Sequence, residues 1–94
     1  MRFKTGHRRF WEILECVELE GAWGETRPET RQVVLKKDDP ERLFTLFHEL
    51  IHVASFDEKV NLTEKQVLAL ERWIKKLVKH GGLEKLKEYI STID

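Results

Sequence analysis

Residues 40–55 read PERLFTLFHELIHVAS and predict an amphipathic helix. Pro40 suits the first helical position, because its missing N–H needs no partner there, and Asp39 before it is the expected N-cap. Apolar side chains recur at the three- and four-residue spacing that puts them on one helix face. These residues are Leu43, Leu46, Phe47, Leu50, Val53 and Ala54. We expect this face to pack on a sheet and to bury Phe47 and Leu50.

The residues before this helix predict a small sheet. Segment 10–20 alternates in the period of two that is typical of a strand, and one of its faces carries Trp11, Ile13, Val17 and Leu19. Turn signals at 21–24 and 27–30 accompany a second strand near Trp23 and a third at Val33–Leu35. We therefore expect about three strands in a mainly antiparallel meander.

The residues after it predict two more helices. Thr63 followed by Gln66 is a capping box, which opens a helix over 63–80 that Gly81 and Gly82 end. A shorter helix is expected over 83–91. The stripe of the longer helix consists of Val67, Leu70, Ile74, Leu77 and Val78. Strands followed by helices predict an α+β fold, and 94 residues predict one domain spanning 1–94.

Composition excludes several classes of function. The chain has 17 basic and 17 acidic residues and a net charge of zero, which argues against a nucleic-acid-binding protein that relies on bulk positive charge. Its apolar runs are only a few residues long, so no membrane span is expected. Cys16 is the one cysteine, which precludes an intramolecular disulfide within this sequence and favours a cytoplasmic location.

His48 and His52 form the pattern His-Glu-x-x-His inside the first predicted helix. Residues i and i+4 lie one above the other on a helix face, so two imidazoles can converge on one zinc ion. Glu49 lies beside that face and can reach a water that the metal activates, as a general base must. The face opposite the predicted core carries both histidines, which predicts a zinc site turned away from the sheet.

The third ligand remains open between Glu64 and Glu71, both on the following helix. A catalytic zinc ion usually has three protein ligands and one open position. A fourth ligand from Asp57, Glu71 or His80 would close the site and indicate a structural ion.

Several segments resemble the small phage- and prophage-encoded metallopeptidases of the zincin class, which are similar to larger gluzincin-type proteases. They are residues 21–26, 33–35, 41–42, 46–53 and 62–67 with Leu70. The resemblance implies a minimal zincin-like fold, with zinc bound by His48, His52 and the Glu that opens the next helix, Glu64. It also implies a peptide substrate, drawn from phage or host regulatory proteins, held along the strand near residues 31–36.

Two functions follow from these observations. The first is a zinc-dependent peptidase in which Glu49 is the general base. The alternative is a non-catalytic, zinc-stabilised module that binds a protein partner.

Overall fold

The computed structural model describes residues 1–93, in which four strands precede three helices. This order confirms the predicted α+β class. The strands are β1 Arg2–Gly6, β2 Arg9–Cys16, β3 Gly24–Arg27 and β4 Gln32–Lys36. The helices are α1 Arg42–Asp57, α2 Glu64–Lys79 and α3 Gly82–Ile93.

The sheet is mixed, with strand order β1-β2-β4-β3. β1 and β3 are antiparallel to their neighbours, whereas β2 and β4 are parallel, so the predicted three-stranded, mainly antiparallel sheet is wrong in strand number and in one pairing. The sequence did not predict β1, because Phe3 is its one large apolar residue and its other residues are exposed. The parallel pair arises because the chain runs to the far edge as β3 before β4 enters between β2 and β3.

The second strand is shorter than predicted. β2 ends at Cys16, opposite Lys36, which is the last residue of β4. Val17 therefore has no neighbouring strand and is 71% exposed, and Leu19 lies in the same connection. Trp23 precedes β3 and does not belong to it. The alternation of apolar and polar residues could not locate the end of β2, because that end is set by the length of β4.

The core lies between α1 and the central strands. Trp11, Val33, Leu35 and Val53 form its buried cluster. α1 packs on β3 and β4, so its wide apolar face is only partly covered. Phe47 and Leu50 are consequently half-buried, where burial was predicted, and Leu43 and Ala54 are exposed.

The start of α1 also differs from the prediction. The helix begins at Arg42 with Glu41 as its N-cap residue, and Pro40 lies in the preceding turn. Asp39 nevertheless contributes to this end, because its buried carboxylate accepts hydrogen bonds from the Glu41 amide and the Thr45 hydroxyl.

The helix α2 begins with the predicted capping box, in which Thr63 and Gln66 bond each other's backbone amides. Val67 is fully buried, but Leu70 is exposed, so the predicted stripe is only partly covered. Gly81 adopts the left-handed conformation at φ +75° and ends the helix, as expected. α3 runs to Ile93 and packs against α2. None of the three helices is both long and apolar enough to cross a membrane.

Asp57 joins the end of α1 to the sheet. Its carboxylate is 7% exposed and accepts hydrogen bonds from Trp11 Nε1 at 3.2 Å and from Arg31 at 3.1 Å. Burial by itself would raise the pKa of Asp57, but polar interactions with Thr5, Trp11 and Arg31 and the charge of Arg31 outweigh it and hold the pKa below its ordinary value. Ionised Asp57 therefore stabilises the fold.

We expect Asp57→Asn to lower the free energy of unfolding by roughly 1–3 kcal/mol at neutral pH, because it removes a charge-assisted pair. The folded-state pKa is depressed, so the contribution of Asp57 is present above the unfolded-state pKa and is lost as pH falls through the folded-state value. Urea unfolding between about pH 7 and pH 2 should show the two proteins converging in acid. Asp38→Asn, at an exposed position, is the control; equal effects of the two substitutions would contradict this role.

Candidate metal centre

His48 and His52 lie on the side of α1 that faces α2. Their side chains are 17% and 24% exposed, and their ring centroids are 5.1 Å apart. The i, i+4 spacing places the two rings one turn apart on the same face of the helix, as the motif predicts. Partly buried imidazoles require polar partners, and α2 supplies them.

Glu64 reaches both histidines from the first turn of α2. Its Oε1 lies 3.0 Å from His48 Nε2, and its Oε2 lies 3.3 Å from His52 Nε2. One ligand atom from each of the three residues falls within 4.8 Å of the others. Zinc bonds of about 2.0–2.1 Å in a tetrahedron separate ligand atoms by about 3.3 Å, and the two distances from Glu64 to the imidazole nitrogens are close to this separation.

Glu71 contacts the opposite nitrogen of His48. Its Oε2 lies 3.2 Å from His48 Nδ1, and its side chain is 15% exposed. If a metal ion binds at Nε2, the ring proton lies on Nδ1 and is donated to Glu71. Glu64 and Glu71 therefore lie on different sides of one imidazole, which separates the two candidates for the third ligand by position.

Three carboxylates, those of Glu49, Glu64 and Glu71, converge around the two histidines. Lys75 Nζ lies 3.9 Å from Glu71 and is shared with Glu41 at 3.6 Å, and Lys65 and Arg72 line an adjoining cleft with Glu64 and Glu71. A cation bound between His48, His52 and Glu64 would reduce the mutual repulsion of the carboxylates.

Glu49 is buried beneath the edge strand and is 6% exposed. The Thr26 hydroxyl donates to its Oε1 at 2.8 Å. Its Oε2 lies close to Gly24, where an added Cβ would stand 3.3 Å from that oxygen and 2.7 Å from the Thr45 methyl group. β3 therefore lies directly on the side chain that sequence analysis selected as general base.

The strand beside the site is β3, which corrects the expectation for residues 31–36. β4 lies between β2 and β3 and has no free edge, whereas β3 forms the edge of the sheet. The Lys36 amide bonds the Trp23 carbonyl, which makes 23 and 36 a hydrogen-bonded pair. Alternation along the register then directs the backbone groups of Gly24 and Thr26 towards the free edge.

Two clefts flank the site along this edge. One, of about 290 Å³, is lined by His48, Glu49 and Glu71 together with the exposed side chains of Trp23 and Leu68. The other, of about 390 Å³, is lined by both histidines, Glu49 and Glu64, with Phe56 at its side. A segment lying along β3 would pass both clefts.

The candidates for a fourth ligand lie elsewhere. Asp57 is bound to Trp11 and Arg31, and Glu71 contacts the Nδ1 side of His48. His80 caps the far end of α2, about 24 Å along the helix from Glu64 at about 1.5 Å per residue. Within residues 1–93 the donor set therefore contains three residues, which leaves a position for a further ligand.

The roles of Gly24 and Thr26 were not predicted from the sequence. Both lie in the segment 21–26, which was noted only for its resemblance. The period of two in a strand could have indicated that Gly24 and Thr26 lie on one face of β3. The sequence carried no indication that this face meets Glu49, because the contact joins positions 23 residues apart.

Comparisons with protein families, with curated proteins and with solved structures find no match to this chain. The motif and the geometry of its surroundings are therefore the features of this chain that indicate a function.

We expect Glu64→Gln and Glu71→Gln to differ in their effect on zinc affinity. Glu64→Gln removes a charged ligand and should nearly abolish binding. Glu71→Gln alters the residue that contacts the proposed ligand His48. Loss of such a contact typically lowers metal affinity by about 10–100-fold. Titration against a chromophoric chelator measures both. The reverse order of effects would assign the third ligand to Glu71.

Proposed function

We propose that this protein is a zinc-dependent peptidase, with His48, His52 and Glu64 as metal ligands and Glu49 as general base. One observation carries the proposal: a three-residue donor set lies beside the buried carboxylate of Glu49, which lines two clefts at a free strand edge. Metal binding alone would not require this carboxylate. Hydrolysis of an extended peptide uses all three features.

A bound zinc ion would supply Lewis-acid activation of water and of the scissile carbonyl. Glu49 accepts a proton from the attacking water as its oxygen bonds to the carbonyl carbon. Glu49 then delivers that proton to the amide nitrogen as the C–N bond breaks. One water is consumed, a carboxylic acid and an amine are formed, and Glu49 returns to its ionised state.

An extended peptide or protein segment is the substrate class that we propose. The outward backbone groups of Gly24 and Thr26 offer donors and acceptors for strand addition. The resemblance to phage-encoded zincins favours regulatory proteins of phage or host as the source of that segment. We propose the cytoplasm as the setting, because the one cysteine of these 94 residues has no intramolecular partner.

The alternative is a zinc-stabilised binding module, and one feature favours it. Val67 is the one buried residue of α2, so the helix contacts α1 through little apolar surface. A metal held by His48, His52 and Glu64 would join the two helices and stabilise the folded state by binding it selectively. Both functions require the metal; only the peptidase requires Glu49 to be ionised beside it.

Removing the metal should lower thermal stability under either function. His48→Ala and His52→Ala should abolish zinc binding and eliminate the decrease in melting temperature that a chelator causes in the wild type. Elemental analysis and thermal unfolding with and without chelator measure this. His80→Ala, at the far end of α2, is the matched control. If the wild-type protein contains no zinc and its melting temperature does not change when chelator is added, the metal site is rejected.

Glu49→Gln separates the two functions. We expect the variant to retain zinc and to lose peptide cleavage by roughly 10²–10⁴-fold, because its amide cannot accept the water proton. Cleavage of a library of unstructured peptides, followed by mass spectrometry, measures the loss. If neither wild type nor variant cleaves any peptide, although both bind zinc equally, the binding module is the correct assignment.

A further inference from the structure

We infer that Thr26 is a positioning residue for Glu49, and that it fixes which carboxylate oxygen is available to accept a proton. The inference rests on the proposed peptidase function. It adds a residue on the edge strand to the two helices that hold the metal ligands and the base.

The Thr26 hydroxyl donates to Glu49 Oε1 at 2.8 Å, and the backbone carbonyl of Glu49 lies 3.2 Å from the same hydroxyl oxygen. A hydroxyl has one proton, and the shorter contact to a charged acceptor is the stronger of the two. Oε1 is thereby engaged. Among the described residues Oε2 has no hydrogen-bond partner and is not sealed from solvent, and Glu49 lines both clefts, so Oε2 is the oxygen available to a reacting water.

The packing around Glu49 restricts its other rotamers. A Cβ at position 24 would stand 3.1 Å from Glu49 Cγ and 2.7 Å from the Thr45 methyl group, so only glycine lets the strand lie this close. Gly24 and Thr26 are two apart and share the face of β3 that meets α1. The strand β3 thus restricts the Glu49 side chain through Gly24 and binds its Oε1 through the Thr26 hydroxyl.

The same two residues direct their backbone groups to the free edge of the sheet. A peptide added to β3 would bond the outward backbone groups of Gly24 and Thr26. The Gly24 Cα and the Thr26 side chain would meanwhile keep their contacts with Glu49. Strand addition would therefore hold the substrate and the base through one rigid segment. This arrangement gives Thr26 a role in the rate of reaction that is separate from metal binding.

Kinetics of Thr26→Val and Thr26→Ser test this role. Valine is similar in shape and lacks the hydroxyl, so we expect kcat to fall roughly 10-fold or more, the size expected when a hydrogen bond to a charged group is lost. KM and zinc content should stay at wild-type values, and serine should restore most of kcat. Thr30→Val is the matched control, because Thr30 is an exposed threonine whose hydroxyl bonds Gln32. Wild-type kcat in Thr26→Val would overturn the inference and leave the peptidase intact.

A second experiment measures stability and does not depend on peptidase activity. Urea unfolding of wild type, Thr26→Val, Glu49→Met and the double variant forms a double-mutant cycle that isolates the hydroxyl–carboxylate contact. We expect Thr26→Val to lower the unfolding midpoint of the wild type. In the Glu49→Met background the same change should lower the midpoint less, since only the longer contact to the carbonyl of residue 49 then remains. Equal decreases in both backgrounds would overturn the inference. Absence of cleavage by the wild type, with coupling intact, would reject the peptidase alone.

Discussion

The site depends on the imidazole of His48 having a carboxylate at each nitrogen. Glu71 lies 3.2 Å from Nδ1 and Glu64 lies 3.0 Å from Nε2, and both come from α2 at positions two turns apart. This arrangement requires α1 and α2 to run antiparallel in one register, with His52 beside the beginning of α2 and Glu41 beside Lys75. A shift of one turn would separate the donor set. The capping box at Thr63 supports this register, because it sets where α2 begins.

The edge strand is the second constraint. β3 is only four residues long, yet its backbone and its side chains both serve the region around Glu49. Close approach needs glycine at position 24, and burial of a carboxylate needs a donor, which Thr26 provides. An exposed edge is usually a liability in a sheet, since its free backbone groups can pair with another chain. Beside the proposed peptidase site, the same groups would suit an extended substrate.

Stability is concentrated away from the candidate metal centre. The buried cluster around Trp11 and Val53 lies between α1 and the sheet, and Asp57 ties the end of α1 to Trp11 and Arg31. α2 and α3 contribute little buried surface, since Val67 is the one buried residue in either helix within the described chain. The half of the site that comes from α2 is therefore held mainly by polar contacts to α1. Such an arrangement makes the position of Glu64 sensitive to what occupies the site.

The sequence by itself determined the helices, the α+β class and the His-Glu-x-x-His group of the candidate site. Helix patterning and capping are local properties, and His48, Glu49 and His52 lie within five positions, so period and spacing sufficed for them. Only the tertiary structure decided the mixed sheet, the end of β2, the identity of the edge strand and the different positions of Glu64 and Glu71. It also revealed Thr26 above Glu49. These features depend on pairings between residues about 20 positions apart, which local periodicity does not encode.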